Sequence, residues 1–183
     1  MDKKLANKKS KKILWVDLEM TGLDVSKDVI LEVAAIVTDW DFNELGEYET
    51  VIHRSDHVLK TMNEWCIVQH GASGLTDRVR ESKATSKQVE NSLLQFIDEH
   101  FEKGMPVLLA GNSIHMDRQF IAKEWKRFDA KLHYRMLDVT AWKVVFEGKF
   151  GKKFAKPEEH RALGDIRGSI MELKYYLDKV HAR

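Results

Sequence analysis

Two runs rich in valine, isoleucine and leucine, residues 12–19 and 29–38 (VILEVAAIVT), stand one turn apart near the start of the chain. The segment between them, GLDVSKD, has the residues of a turn, so both runs read as strands. Next, DWDFNELGE carries turn chemistry and leads into YETVIHR, where apolar and polar residues alternate. Three successive strands joined this way predict an antiparallel meander.

The remainder reads differently. Segment 61–70 is predicted as a short helix ending at Gly71. A capping box, Thr85 with Gln88 three residues later, opens a helix on which Val89, Leu93, Phe96, Ile97 and Phe101 recur at helical spacing. PVLLAGNS supplies a short buried strand. Residues 116–128, 138–147 and 165–180 are predicted helical, the last with Ile166, Ile170, Leu173, Leu177 and Val180 on one stripe. Three strands followed by strands mixed with helices predict an α/β fold, a mixed sheet flanked by helices. At 183 residues the chain is long enough for one well-filled core and short for two. The expected organisation is a flexible basic tail over residues 1–11 and a single domain over 12–183.

The formal net charge of +1 gives no global field toward nucleic acid or membrane, so any basic partner surface must be local. The single cysteine, Cys66, excludes an internal disulfide framework and fits a reducing compartment. No motif surrounds it, so it reads as a small half-buried residue rather than a nucleophile. The first twelve residues, MDKKLANKKSKK, hold six lysines and lack the apolar core of a secretory signal. They read as a solvated tail able to add weak, salt-sensitive attraction to phosphates. No stretch approaches the apolar length needed to span a bilayer, and a cytoplasmic location is expected.

Within WVDLEMTGL, Asp17 and Glu19 interrupt an otherwise apolar strand. Side chains two apart in a strand share a face, about 7 Å apart at Cα. Asp17 and Glu19 therefore point the same way as Trp15, opposite Leu14, Val16 and Leu18. An edge strand with one wet side explains the pair equally well when it is considered alone. Asp117 follows LLAGNSIHM at a predicted loop-to-helix junction, and Asp165 begins the last helix, five residues after His160. Each of these two has an ordinary account as an acid in the first turn of a helix.

A convergence of all four would have a chemical use. Two carboxylates at about 4 Å repel by roughly 4 kcal/mol at an effective dielectric near 20. Hard divalent cations relieve that repulsion, and an all-oxygen ligand set favours Mg²⁺ or Mn²⁺ over Zn²⁺. Two such ions can activate a water and stabilise the leaving oxygen of a phosphodiester. His160, with an ordinary pKa of about 6.5, is suited to take the proton from that water.

WVDLEMTGLD, LAGNSIHMD, HYRMLDVT and HRALGD, in this order, resemble the successive motifs of the oligoribonucleases, in the histidine-containing branch of the DEDD exonuclease superfamily. The resemblance runs from about Ile13 to Leu177. Paired acids alone would be weak; their combination with EMTGLD, ASGLT and HYR is specific. It implies a ribonuclease H-like fold, two divalent metal ions (Mg²⁺ or Mn²⁺), and removal of nucleoside 5′-monophosphates from the 3′ end of very short RNAs and dinucleotides. Asp17, Glu19, Asp117 and Asp165 match the metal-binding acids, and His160 the general base. Leu23 matches the residue that wedges between the two bases of a dinucleotide. Trp65 and His70 match positions lining the pocket of the 3′ nucleotide, where stacking on an aromatic ring contributes about 1–3 kcal/mol and tolerates any base.

Ser113 and Arg135 match the residues that cap the 5′ phosphate, an anion that a guanidinium fork suits. Tyr134 matches a tyrosine that reaches the neighbouring subunit's active site, which implies a homodimer. Taken one by one, Trp65 reads as core, Arg135 as a solvated charge and Tyr134 as interface packing. One departure is visible: the family has two consecutive acids after HxAL, where this chain has Gly164 and then Asp165. The second acid is the expected ligand, so the change should alter charge and rigidity at the helix start rather than the ligand set.

Two other readings stand beside this one. The first is a related exonuclease acting on longer RNA or on DNA 3′ ends, for which lysines interleaved with three phenylalanines in KVVFEGKFGKKFAKP (143–157) could track the strand. The second is a nucleic-acid-binding module that kept the fold and lost catalysis. It predicts a missing ligand or base, and all five are present.

Overall fold

A computed structural model describes residues 11–155 and 162–181. The predicted basic tail and His160 therefore lie outside the described residues, apart from Lys11 of the tail. Strands β1 (Ile13–Met20), β2 (Ile30–Thr38) and β3 (Glu44–Val51) form the expected antiparallel meander. After the helices α1 (Asp56–Leu59), α2 (Glu64–Ala72), α3 (Leu75–Glu81) and α4 (Ser86–His100) come β4 (Val107–Gly111), α5 (Ile114–Glu124) and α6 (Lys126–Asp129). The chain ends with β5 (Leu132–Asp138), α7 (Val139–Phe150) and α8 (Ala162–His181). The sheet order is β3-β2-β1-β4-β5, with β4 and β5 parallel to β1. This is the predicted mixed α/β sheet.

β1 is the central strand, so the edge-strand account of its acids does not hold. Its two faces feed two different cores. Leu14, Val16 and Leu18 pack with Val89, Leu93 and Phe96 of α4 and with Ile114, Phe120 and Ile121 of α5. Ile13 and Trp15 face Phe146 of α7 and Ile166, Ile170 and Leu173 of α8. Asp17 and Glu19 continue that second face beyond Trp15 and are only half-buried. A third cluster, with Leu59, Met62, Cys66, Leu75 and Val79, fastens the small helices to Leu31.

The Thr85–Gln88 capping box forms as predicted, with Phe101 as the residue that ends α4 rather than a member of it. Several boundaries move. β3 starts at Glu44, inside the predicted turn, because Asp39 accepts the backbone N–H groups of Asp41 and Asn43 and tightens the reversal to a few residues. α2 runs through Gly71 to Ala72, its start fixed by Asn63 Oδ1 accepting the Cys66 N–H at 2.8 Å. The predicted helix 116–128 is two helices broken at Trp125. This residue is fully buried, donates its indole N–H to Ser86 Oγ at 2.9 Å and leaves helical geometry (φ −127°). β5 falls in LHYRMLD, where no strand was predicted: as an edge strand with only Leu132 buried it shows no apolar alternation. In α8 the stripe ends early, and Val180 is exposed.

Candidate active site

Asp17 and Glu19 lie on β1, next to the parallel strand β4, and Asp165 lies in the first turn of α8. Carboxylate oxygens of these three residues all lie within 4.8 Å of one another. Placement follows from the chain path: α8 packs on the Trp15 face of the sheet and presents its N-terminal turn where that face runs out of apolar residues. Asp117 lies in the first turn of α5, the helix that packs on the Leu14, Val16 and Leu18 face of the sheet. It is 7% exposed, and its Oδ1 accepts the Leu18 backbone N–H at 3.0 Å. It thus ties α5 to β1 between the two other acids and is not one of the clustered three.

Burial raises the Glu19 carboxyl to about 7, reinforced by the nearby carboxylates of Glu32 and Asp165, with Arg78 pulling the other way. Glu32 stands directly across from Glu19 in the β1–β2 register, is 2% exposed and bonds Arg78 at 2.6 Å. Burial likewise raises Asp117 to about 7, against the lowering effect of hydrogen bonds from its own and Leu18's N–H groups. Acids that burial, and to a lesser degree neighbouring carboxylates, push toward the protonated form are suited to a cation. Their donors are all oxygen, which fits a hard divalent ion.

Glu19 also borders a cavity of about 390 Å³ whose walls include Leu23, Trp65, Cys66 and His70. Leu23 and Trp65 are both about two-thirds exposed (68% and 67%), so Trp65 is not the core residue its type suggested. His70 is buried and bonds the Met20 carbonyl through Nε2 at 2.9 Å. A carbonyl only accepts, so Nε2 carries the hydrogen, and Nδ1 faces Glu19 Oε2 at 3.9 Å. Cys66 is buried and free, and burial pushes its thiol up, which disfavours the thiolate a nucleophile needs.

Ser113 begins α5 in the left-handed region (φ 49°), unusual for a non-glycine residue. Its N–H donates to Asp138 Oδ1 (3.0 Å) and Thr140 Oγ1 (2.8 Å), and its hydroxyl lies 3.1 Å from Thr140 Oγ1. Arg135 and Tyr134 are exposed on β5, with the guanidinium 5.4 Å from the Tyr134 ring centre. The structure thus joins Asp17, Glu19 and Asp165, gathers Leu23, Trp65 and His70 around one cavity, and leaves Arg135 and Tyr134 at the sheet edge.

Glu32 and the Asp138–Thr140 pair were missed by sequence reasoning. Glu32 had a visible signal, an acid inside VILEVAAIVT; the pair had none. Of the three phenylalanines of 143–157, Phe146 is buried against Tyr176 (4.7 Å between ring centres), whereas Phe150 and Phe154 are half-buried against Phe146 (5.3 Å) and Tyr175 (5.5 Å).

Residues 14–173 match the family described as RNase_T, exonuclease. The chain belongs to this exonuclease family. It is an enzyme that hydrolyses phosphodiester bonds. A Dictyostelium discoideum protein described as a "Probable oligoribonuclease" is 49% identical over 93% of this chain and 90% of its own length. An oligoribonuclease of Francisella tularensis subsp. novicida is 48% identical over 92% of this chain and 95% of its own length. Among solved structures, the fold is similar to E. coli exonuclease I in a zinc-bound complex with single-stranded DNA (TM-score 0.69, 15% identity, 91% of this chain). The same holds for exonuclease I of Methylocaldum szegediense (TM-score 0.66, 16% identity, 87% of this chain). The chain spans only about two fifths of those larger proteins, 40% and 39%. At such identity the likeness extends to the fold. Among the described residues, no helix is long and apolar enough to cross a membrane.

Proposed function

We propose that this exonuclease is a 3′-to-5′ exoribonuclease of very short RNAs, dinucleotides included, releasing nucleoside 5′-monophosphates. The observation that carries this reading is the cavity beside Glu19: at about 390 Å³ it lies within the range of ligand pockets, about 300–1,000 Å³, and has room for a terminal nucleotide. The near half-identity to oligoribonucleases over almost the whole chain supports the same substrate class.

In this reading Asp17, Glu19, Asp117 and Asp165 hold two divalent ions, Mg²⁺ or Mn²⁺. When bound, the ions supply charge stabilisation at the scissile phosphate and raise the acidity of water. His160 takes the proton of the water that attacks phosphorus, and the P–O3′ bond breaks toward the remaining fragment. Trp65 and His70 hold the terminal nucleotide, and Leu23 separates its base from the next. Ser113 and Arg135 receive the 5′ phosphate, with Tyr134 supplied by the partner subunit of a homodimer. Exposed apolar side chains on the edge strand, Tyr134 and Met136, and on α7, Val144 and Val145, support a second copy docking there. The single free cysteine fits a reducing cytoplasm.

Initial rates on a labelled dinucleotide and a twenty-mer RNA test the substrate class. A clear preference for the dinucleotide is expected; a preference for the twenty-mer would refute the short-substrate reading. With His160 as base, the rate should rise with pH through about 6.5, the ordinary histidine value.

A further inference from the structure

Leu23 hangs over the cavity, yet at 68% exposure its own side chain does little to hold it there. Its place is set by the backbone on either side, and one buried carboxylate controls both sides. Asp28 is 5% exposed; its Oδ1 accepts the Thr21 hydroxyl at 2.9 Å and its Oδ2 accepts the Asp24 N–H at 2.9 Å. Thr21 is locked in turn to the next residue: its Oγ1 accepts the Val29 N–H at 3.1 Å, and its N–H donates to the Val29 carbonyl at 3.0 Å. The Asp28 N–H closes the loop on the Asp24 carbonyl at 2.8 Å, and Lys123 of α5 holds the Asp28 carbonyl at 2.9 Å.

Between the gripped residues sits Gly22. A Cβ built there would lie 2.4 Å from Asp28 Oδ2, so the carboxylate rests directly on the glycine. A buried carboxylate is costly without hydrogen bonds, and these bonds link the residues that flank Leu23.

We propose that Asp28 is a positioning residue for substrate length: by gripping Thr21 and Asp24 across Gly22 it fixes Leu23 at its height above the cavity walled by Trp65 and His70. This rests on the reading of Leu23 as the wedge between two bases. Asp28 touches no substrate and acts through Leu23 alone.

The test measures kcat and KM on a dinucleotide and a twenty-mer for the wild type, Leu23→Ala, Asp28→Asn and the double variant. The amide of Asp28→Asn can still accept from Thr21 but turns a donor toward the Asp24 N–H. Asp28→Asn is expected to lower the dinucleotide-to-twenty-mer ratio of kcat/KM by about tenfold, mainly through KM, short of the roughly hundredfold that a misplacement of about 1 Å can cause. In the Leu23→Ala background the same substitution should change the ratio by less than about twofold, as expected for two residues acting as one unit.

Leu23→Ala lowering the ratio while Asp28→Asn leaves it unchanged overturns the role of Asp28 and spares the wedge. A further drop in the double variant also overturns it. If Leu23→Ala itself leaves the ratio unchanged, the wedge reading fails and takes this inference with it. Gly22→Ala, whose methyl displaces the carboxylate, should reproduce the Asp28→Asn ratio, and it decides by the same criteria if Asp28→Asn does not fold.

Discussion

Helix α8 meets two groups of acids two residues apart. Asp165 joins Asp17 and Glu19 within 4.8 Å, whereas Arg167 reaches Glu44 (3.0 and 2.8 Å) and Glu47 (2.7 Å) on β3. The guanidinium holds the Glu44 carboxyl below its ordinary range, chiefly through its hydrogen bonds. Glu19 is pushed the other way, to about 7, because burial and the carboxylates of Glu32 and Asp165 outweigh Arg78. Acids answered by a built-in cation make a brace. Acids that burial and neighbouring carboxylates push toward protonation form a cluster able to take a cation from outside.

The largest effect that could break this comparison is on turnover. Asp17→Ala should lower kcat on a dinucleotide by about a thousandfold, the loss of several kcal/mol of transition-state charge stabilisation. Arg167→Ala, at the exposed brace, should change kcat by less than about twofold and stability by roughly 1 kcal/mol or less. Comparable losses in the two variants would erase the distinction between brace and site.

A smaller effect sharpens it. Glu19 and Asp117 have folded-state values raised to about 7 from 4.5 and 3.8. Raised carboxyls favour the protonated form, so their contribution to stability is present below the unfolded values and lost as pH rises through about 7. The metal-free protein should therefore lose stability from these groups between about pH 5 and pH 8. A divalent ion needs the ionised acids and should return stability at about pH 8, by about 2.7 kcal/mol at a hundredfold excess over Kd, and far less at about pH 5. Thermal melts with and without Mn²⁺ at both pH values measure this, and a shift independent of pH would contradict it.

Much of the fold and part of the site could be read from residues directly. The common face of Asp17 and Glu19 follows from the two-residue period of a strand, and the capping box of α4 from Thr85 and Gln88. That Asp165 joins the pair came only with the motif resemblance, because nothing local in either segment says that α8 packs on the Trp15 face. Other features are set by tertiary contacts with no local pattern. Trp125 breaks a helix that periodicity runs straight through, since its indole is anchored to Ser86. Ser113 adopts left-handed geometry because Asp138 and Thr140 hold its N–H from another element. β5 escaped notice because an edge strand buries too little to pattern its sequence.

The central claim is that the cluster of Asp17, Glu19 and Asp165 is a divalent-cation site while the Arg167 brace is not. Calorimetric titration of Mn²⁺ into the wild type, Asp165→Asn and Arg167→Ala at about pH 8 tests it most directly. Binding by the wild type and by Arg167→Ala, with at least one site lost in Asp165→Asn, is the predicted result; unchanged Mn²⁺ stoichiometry and affinity in Asp165→Asn would contradict it.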